Sequence, residues 1–211
     1  MRGSEFNYTS VLILFILLLF SGCAESTGKK QKASDEMAVK AGRLIASESF
    51  EELSGHLGAA LEKGGVSHAI EFCSVEAIPI TQELSNEFDV DIKRATHKPR
   101  NPENFANADE MKVIQRWQEQ IESGKDIKPV ASKMNNHYQV YAPIRIGNQL
   151  CLQCHGDKGS DIQPDNVELL QSIYNEDQAT GFEMGDLRGL WSIRMPADSA
   201  EVAAIINMVN E

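Results

Sequence analysis

Hydrophobic positions along this chain follow three regimes: one unbroken apolar run, then helical spacing, then stretches of alternation. The run, VLILFILLLF at 11–20, is ten residues long, about 15 Å as a helix and half of a bilayer core. A small, polar, Lys-rich segment follows at 24–34 (AESTGKKQKAS), with the character of a flexible tether. From an N-cap at Ser34-Asp35, apolar residues Met37, Ala41, Leu44, Ile45, Phe50, Leu53, Leu57 and Leu61 keep helical spacing to about residue 63. Gly64-Gly65 predicts its end. A second helix is predicted at 66–88, with Ala69, Ile70, Cys73, Ala77, Ile80 and Leu84 on one face. Pro79 inside it predicts a kink or a break.

Residues 90–95 alternate as a short strand, and 96–107 (THKPRNPENFAN) read as loop. A helix is predicted at 108–122 from the stripe Met111, Ile114, Trp117 and Ile121. Two strands are predicted at 125–133 and 136–146. Pro143 in the second points to an edge or a bulge. A short helix at 165–175, a Gly-rich turn at 185–189, a strand at 189–195 and a helix at 198–210 capped by Asp198 complete the chain. Long helices followed by antiparallel strands give an α+β class, with one domain at 35–211 and no internal repeat.

Composition changes this picture little. Hydrophobic content of 42% and charged content of 24% are ordinary for a globular chain of 211 residues. The net charge of −11 argues against nucleic-acid binding, which needs a basic face.

The apolar run changes it more. It is too short to span a bilayer and fits the core of a signal peptide. Ser21-Gly22-Cys23 follows at once, like a lipoprotein cleavage box. The expectation is a lipoprotein signal at 1–22, lipidation at Cys23 and a tether at 23–34. Plain secretion with cleavage near Ala24 is the alternative. The chain is then anchored in the cell envelope on the periplasmic side. Ala24, rather than Asp, after the lipidated residue favours the outer membrane.

Cys151-Leu152-Gln153-Cys154-His155 carries the chemistry. C-x-x-C-H is the attachment signal for c-type haem. Two thiols add to the vinyl groups as thioethers, and the adjacent imidazole ligates iron. Covalent haem attachment outside the cytoplasm agrees with the export signal. The sixth iron position needs a second donor or stays open; Cys73, the histidines and several methionines are candidates. Cys73 is a lone exported thiol on the apolar face of a helix; the plain reading is a small buried hydrophobe. His97 is a weaker candidate ligand. Cys73, Cys151, Cys154 and His155 could instead form a haem-free Cys₃His zinc site, and Cys151-x-x-Cys154 a redox dithiol. Export disfavours persistent free thiols. No nucleophile elbow, paired-carboxylate motif or zinc-protease helix is present, so no enzyme activity is expected.

Several pieces together resemble a family of PAS-like c-type haem domains, long catalogued as a domain of unknown function. They are Ala69-Ile70-Glu71-Phe72-Cys73, Lys98-Pro99-Arg100-Asn101-Pro102 with Asn104 and Glu110, Tyr141-Ala142-Pro143-Ile144, the C-x-x-C-H, Gly185-Asp186-Leu187, and Gly189 with 191–196. The resemblance implies a PAS-like antiparallel sheet holding one covalent haem c, with His155 proximal and the Cys73 thiolate distal. It places Arg100, Asn101 and Asn104 in a loop that binds propionates or shapes the pocket. Loop architecture is the favoured reading of those three. The implied function is a redox or small-ligand sensor, taking CO or NO after reduction, or a single-electron carrier. Either role requires a redox or signalling protein partner.

Overall fold

The computed structural model describes residues 33–210. The apolar run at 11–20, Cys23 and residues 24–32 lie outside the described residues. Among the described residues no helix is long and apolar enough to cross a membrane.

Helix α1 (Asp35–Glu87) opens the domain, with the Ser34 hydroxyl accepting from the Met37 amide at 3.2 Å. It is continuous only by hydrogen-bond pattern. Gly64 (φ −158°) and Gly65 (φ 69°, ψ −163°) leave helical geometry and divide it into two arms. The arms pack on each other, and the His56 ring stacks on Phe72 at 6.0 Å, so the chain reverses at the glycine pair. The two predicted helices are therefore present. The Gly65 conformation belongs to a region essentially closed to residues with a Cβ. Gly65→Ala is expected to cost about 1–3 kcal/mol, read as a lower urea midpoint. An unchanged midpoint would mean that the turn relaxes freely.

Pro79 does not break the second arm. The hydrogen bond it removes would have reached the carbonyl of Val75, four residues earlier. Val75 is 65% exposed, so the turn that loses this bond lies on the solvent side of the helix.

Four antiparallel strands follow: β1 (Asp91–Ala95), β2 (Val130–Lys133), β3 (His137–Arg145) and β4 (Leu187–Pro196). They lie in the order β1-β4-β3-β2. Tyr138, Val140, Ala142, Trp191, Ile193 and Met195 fill one face beneath both arms of α1 and helix α5 (Ser199–Val209). Burying side chains of this size stabilises by about 1.5–3 kcal/mol each. Gly42 permits close approach of α1, because a Cβ there would lie 2.5 Å from Val140 Cγ1. The other face carries Ala95, Tyr141 and Leu190 under Ile114 and Trp117 of helix α2 (Ala108–Glu122). This is the expected α+β class, an antiparallel sheet behind long N-terminal helices.

One detail differs from expectation. Strand β2 is shorter than the predicted 125–133, because its pairing with β3 begins at Val130↔Tyr141. Charged residues and Pro129 precede that point. Pro143 meets its expectation of an edge or a bulge: it has β4 on one side and no strand on the other, and a register shift follows at Ile144/Arg145. Met134 and Met184 are exposed, whereas Met195 is buried.

Glu110 also finds a structural role. Its carboxylate accepts from the Asn107 amide at 2.8 Å, completing a capping box on α2, and from Lys93 Nζ at 3.3 Å.

Candidate functional site

The C-x-x-C-H residues form a short helix of their own, α3 (Gln149–His155), started by the Asn148 side chain. On a helix, positions i, i+3 and i+4 share a face. Cys151, Cys154 and His155 are therefore presented together. Leu152 packs with Ile146 and Phe182, a cluster against which Cys151 also rests.

His155 has a fixed tautomer. Its Nδ1 lies 2.9 Å from the Ala179 carbonyl, which can only accept, so Nδ1 carries the hydrogen. Nε2 keeps its lone pair and has no hydrogen-bond partner among the described residues. Burial first, then Arg188 and Arg100, hold the imidazole pKa well below the usual 6.5, with Arg94 acting the same way. The ring is thus neutral, oriented and able to donate at Nε2, the arrangement a metal-binding histidine needs.

A stability trend follows. The unfolded chain protonates His155 near its usual value of 6.5, and the folded chain does not. The contribution is complete above that value and is lost as the pH falls toward the folded pKa. The urea midpoint of the chain without haem is expected to fall on going from about pH 7 to about pH 5, with this group supplying at most about 1.4 kcal/mol per pH unit. A midpoint that rises over that interval would contradict the assignment.

Cys73 reaches the same place from the second arm of α1. Ile70, one turn earlier on that helix, packs in a cluster with Ile162 and Leu170 that includes Cys154. The Cys73 thiol pKa is raised by burial and opposed by Arg94 and Arg100. The Cys154 thiol is raised by burial, lowered by Arg100 and raised again by Cys73 and Cys151. The three sulfurs and His155 therefore share one electrostatic neighbourhood. All three cysteines are free thiols. Among the described residues no group of three or more His, Cys, Asp or Glu is placed to hold a metal ion, so the Cys₃His zinc arrangement is not assembled.

Arg100 ties the site together. Its Nε donates to both Asp177 carboxylate oxygens at 3.2 Å. Nη2 donates to the Cys154 carbonyl at 2.6 Å and to the Ala179 carbonyl at 3.3 Å. Arg100 and Asp177 side chains are 13% and 3% exposed, so this is a buried ion pair. Those donors are committed to protein oxygens, which favours the architectural reading. Asn101 is also architectural, and Asn104 enters the loop through its backbone carbonyl. The Asn101 side chain caps the 3₁₀ turn Pro102–Asn104, and the Asn104 carbonyl accepts from Thr96 N at 2.9 Å.

Phe182 and Arg188 join the site without a signal in the sequence. Phe182, 4% exposed, sets its ring near-perpendicular to both His97 (6.1 Å) and His155 (6.4 Å). Lys98 Nζ lies 4.3 Å and the Arg188 guanidinium 5.3 Å from its centroid. With the Gln118 amide as oriented, His97 Nε2 accepts its N–H at 3.1 Å, leaving Nδ1 buried without a partner among the described residues. His97 thus spends its lone pair on Gln118.

The model of the Tll0287-like family matches residues 24–196, most of the chain and all of this site. The chain belongs to the Tll0287-like family. The match carries the family assignment over Cys73, the Arg100 loop and the C-x-x-C-H helix together, and stops before α5. The fold of this Tll0287-like chain is similar to the crystal structure of the cyanobacterial heme-protein Tll0287, with a TM-score of 0.53 and 20% identity. That likeness covers 78% of this chain and 97% of the other. No curated protein matches the chain.

Proposed function

We propose that this protein binds one haem c covalently and works as a membrane-tethered redox or small-ligand sensor or single-electron carrier. The observation that carries the reading is the His155 tautomer: Nδ1–H is held by Ala179, and Nε2 is left free on the helix that also presents two free thiols. Membership of the Tll0287-like family and the fold shared with a heme-protein support it. In this reading Cys151 and Cys154 would form the thioethers, and His155 Nε2 and the Cys73 sulfur would hold the iron. Cys23 carries the lipid anchor. Bound haem supplies a one-electron iron couple.

The chain's own residues set the conditions for that couple. Phe182 and the Ile70 cluster give the site apolar walls. Arg94 and Arg100 favour the thiolate over the thiol at Cys73, against the cost of burial. Iron held by two protein donors would fit electron transfer or redox sensing rather than catalysis, and CO or NO binding would require the Cys73 sulfur to give way.

The test is a pyridine haemochrome spectrum of the purified chain, made in cells competent for c-type haem maturation, beside Cys151→Ala/Cys154→Ala. The wild type is expected to retain haem through acid-acetone extraction and the double variant to lose it. Extractable haem, or none, in the wild type would contradict covalent attachment.

A further inference from the structure

We propose that Arg94 and Arg188 form an anion seat, and that its occupant is the pair of haem propionates. The proposal rests on the haem reading above and assigns two residues to that site which no sequence motif marks. Four cationic side chains converge there: Arg94, Lys98, Arg100 and Arg188. One of them, Arg100, has a carboxylate partner within ion-pair distance, Asp177. Arg94 Nη2 donates to the Ala77 carbonyl at 3.2 Å. Lys98 Nζ donates to the Thr180 carbonyl at 2.7 Å. Arg188 Nη1 donates to Thr96 Oγ1 at 2.9 Å and reaches the Lys98 carbonyl at 3.3 Å. Its Nε is buried with no hydrogen-bond partner among the described residues.

Neutral oxygens satisfy hydrogen bonds but do not offset charge. Asp186 is the other nearby carboxylate, and its Oδ2 accepts from the Glu183 amide at 2.8 Å. The cluster therefore keeps an excess of enclosed positive charge. The strain shows in Arg188, whose pKa is lowered to about 9 by burial and then by Arg100 and Arg94. A guanidinium is costly to bury without a counter-charge, and a fork with a spare N–H matches a carboxylate. Arg94, Arg100 and Arg188 all act on His155, and Arg94 and Arg100 also act on Cys73. The missing negative charge thus belongs at the site that the C-x-x-C-H helix defines. Haem brings two carboxylates to it.

The test uses the full chain loaded with haem, as Arg188→Met, Arg94→Met and Arg188→Lys. Arg116→Met, an exposed position on α2, is the control. Haem content is measured first, then the midpoint potential by spectroelectrochemical titration and the propionate bending band by resonance Raman. Each Met variant is expected to favour Fe(III), raising the oxidised-to-reduced ratio at fixed potential on the order of tenfold, the size of one charge in a partly buried site. The band should shift in both Met variants. Arg188→Lys should recover the potential while its band stays shifted, and the control should match wild type. Wild-type potential and band in haem-loaded Arg188→Met and Arg94→Met would overturn the proposal. If Arg188→Met does not load haem, the band of Arg188→Lys decides: a shift supports the seat, and no shift overturns it. A wild type without haem would instead refute the haem reading itself.

Discussion

Arg100→Leu is expected to lower the unfolding free energy by about 3–5 kcal/mol, the cost of breaking a buried ion pair from one side. Leucine leaves the Asp177 carboxylate, 3% exposed, without its counter-charge. It also strips the Cys154 and Ala179 carbonyls of donors. Asp177 keeps a bond from the Ala179 amide at 2.8 Å, which holds the turn but not the charge. The effect reaches the site, because Ala179 also orients His155. Urea denaturation of the haem-loaded variant should show a large drop in midpoint. A loss under about 1 kcal/mol, as for an exposed pair, would mean that water reaches Asp177.

Cys73→Ala has the second large effect, and it is spectroscopic. If the Cys73 sulfur is an axial donor, its removal changes the oxidised absorption spectrum and raises the midpoint potential. An anionic thiolate favours Fe(III), and its loss favours Fe(II). The vacated position should also accept CO on reduction more readily than in wild type. Stability should change less, since Cys73 is half-buried and alanine keeps the helix. Superimposable oxidised spectra of wild type and Cys73→Ala would remove Cys73 as a ligand and leave it as a small hydrophobe of α1.

Much of the fold was legible because local signals agreed with the tertiary outcome. Ser34 and Asp198 cap their helices as their side chains predict. The alternation of Tyr138, Val140 and Ala142 marks the face that α1 covers. The 108–122 helix forms at the predicted bounds. Local signals stop where partners decide. Strand β2 is limited by the reach of β3, and Pro79 is tolerated because Val75 faces solvent.

At the site, the C-x-x-C-H motif and Cys73 stand out as residue types at a spacing. The residues that tune them do not. Ala179 acts through a carbonyl, Arg94 and Arg188 sit in strands β1 and β4 with no motif, and Phe182 is one aromatic in a loop. Their roles arise from contacts between segments tens of residues apart, which periodicity does not encode. Arg100 was marked by its loop, but its partner Asp177 lies 77 positions away.

The most direct test of the central claim is an intact-mass measurement of the purified chain made where c-type haem maturation operates. The expected result is one species heavier than the processed polypeptide by a single haem, a difference abolished in Cys151→Ala/Cys154→Ala. The mass of the bare polypeptide, with two free thiols at Cys151 and Cys154, would contradict it.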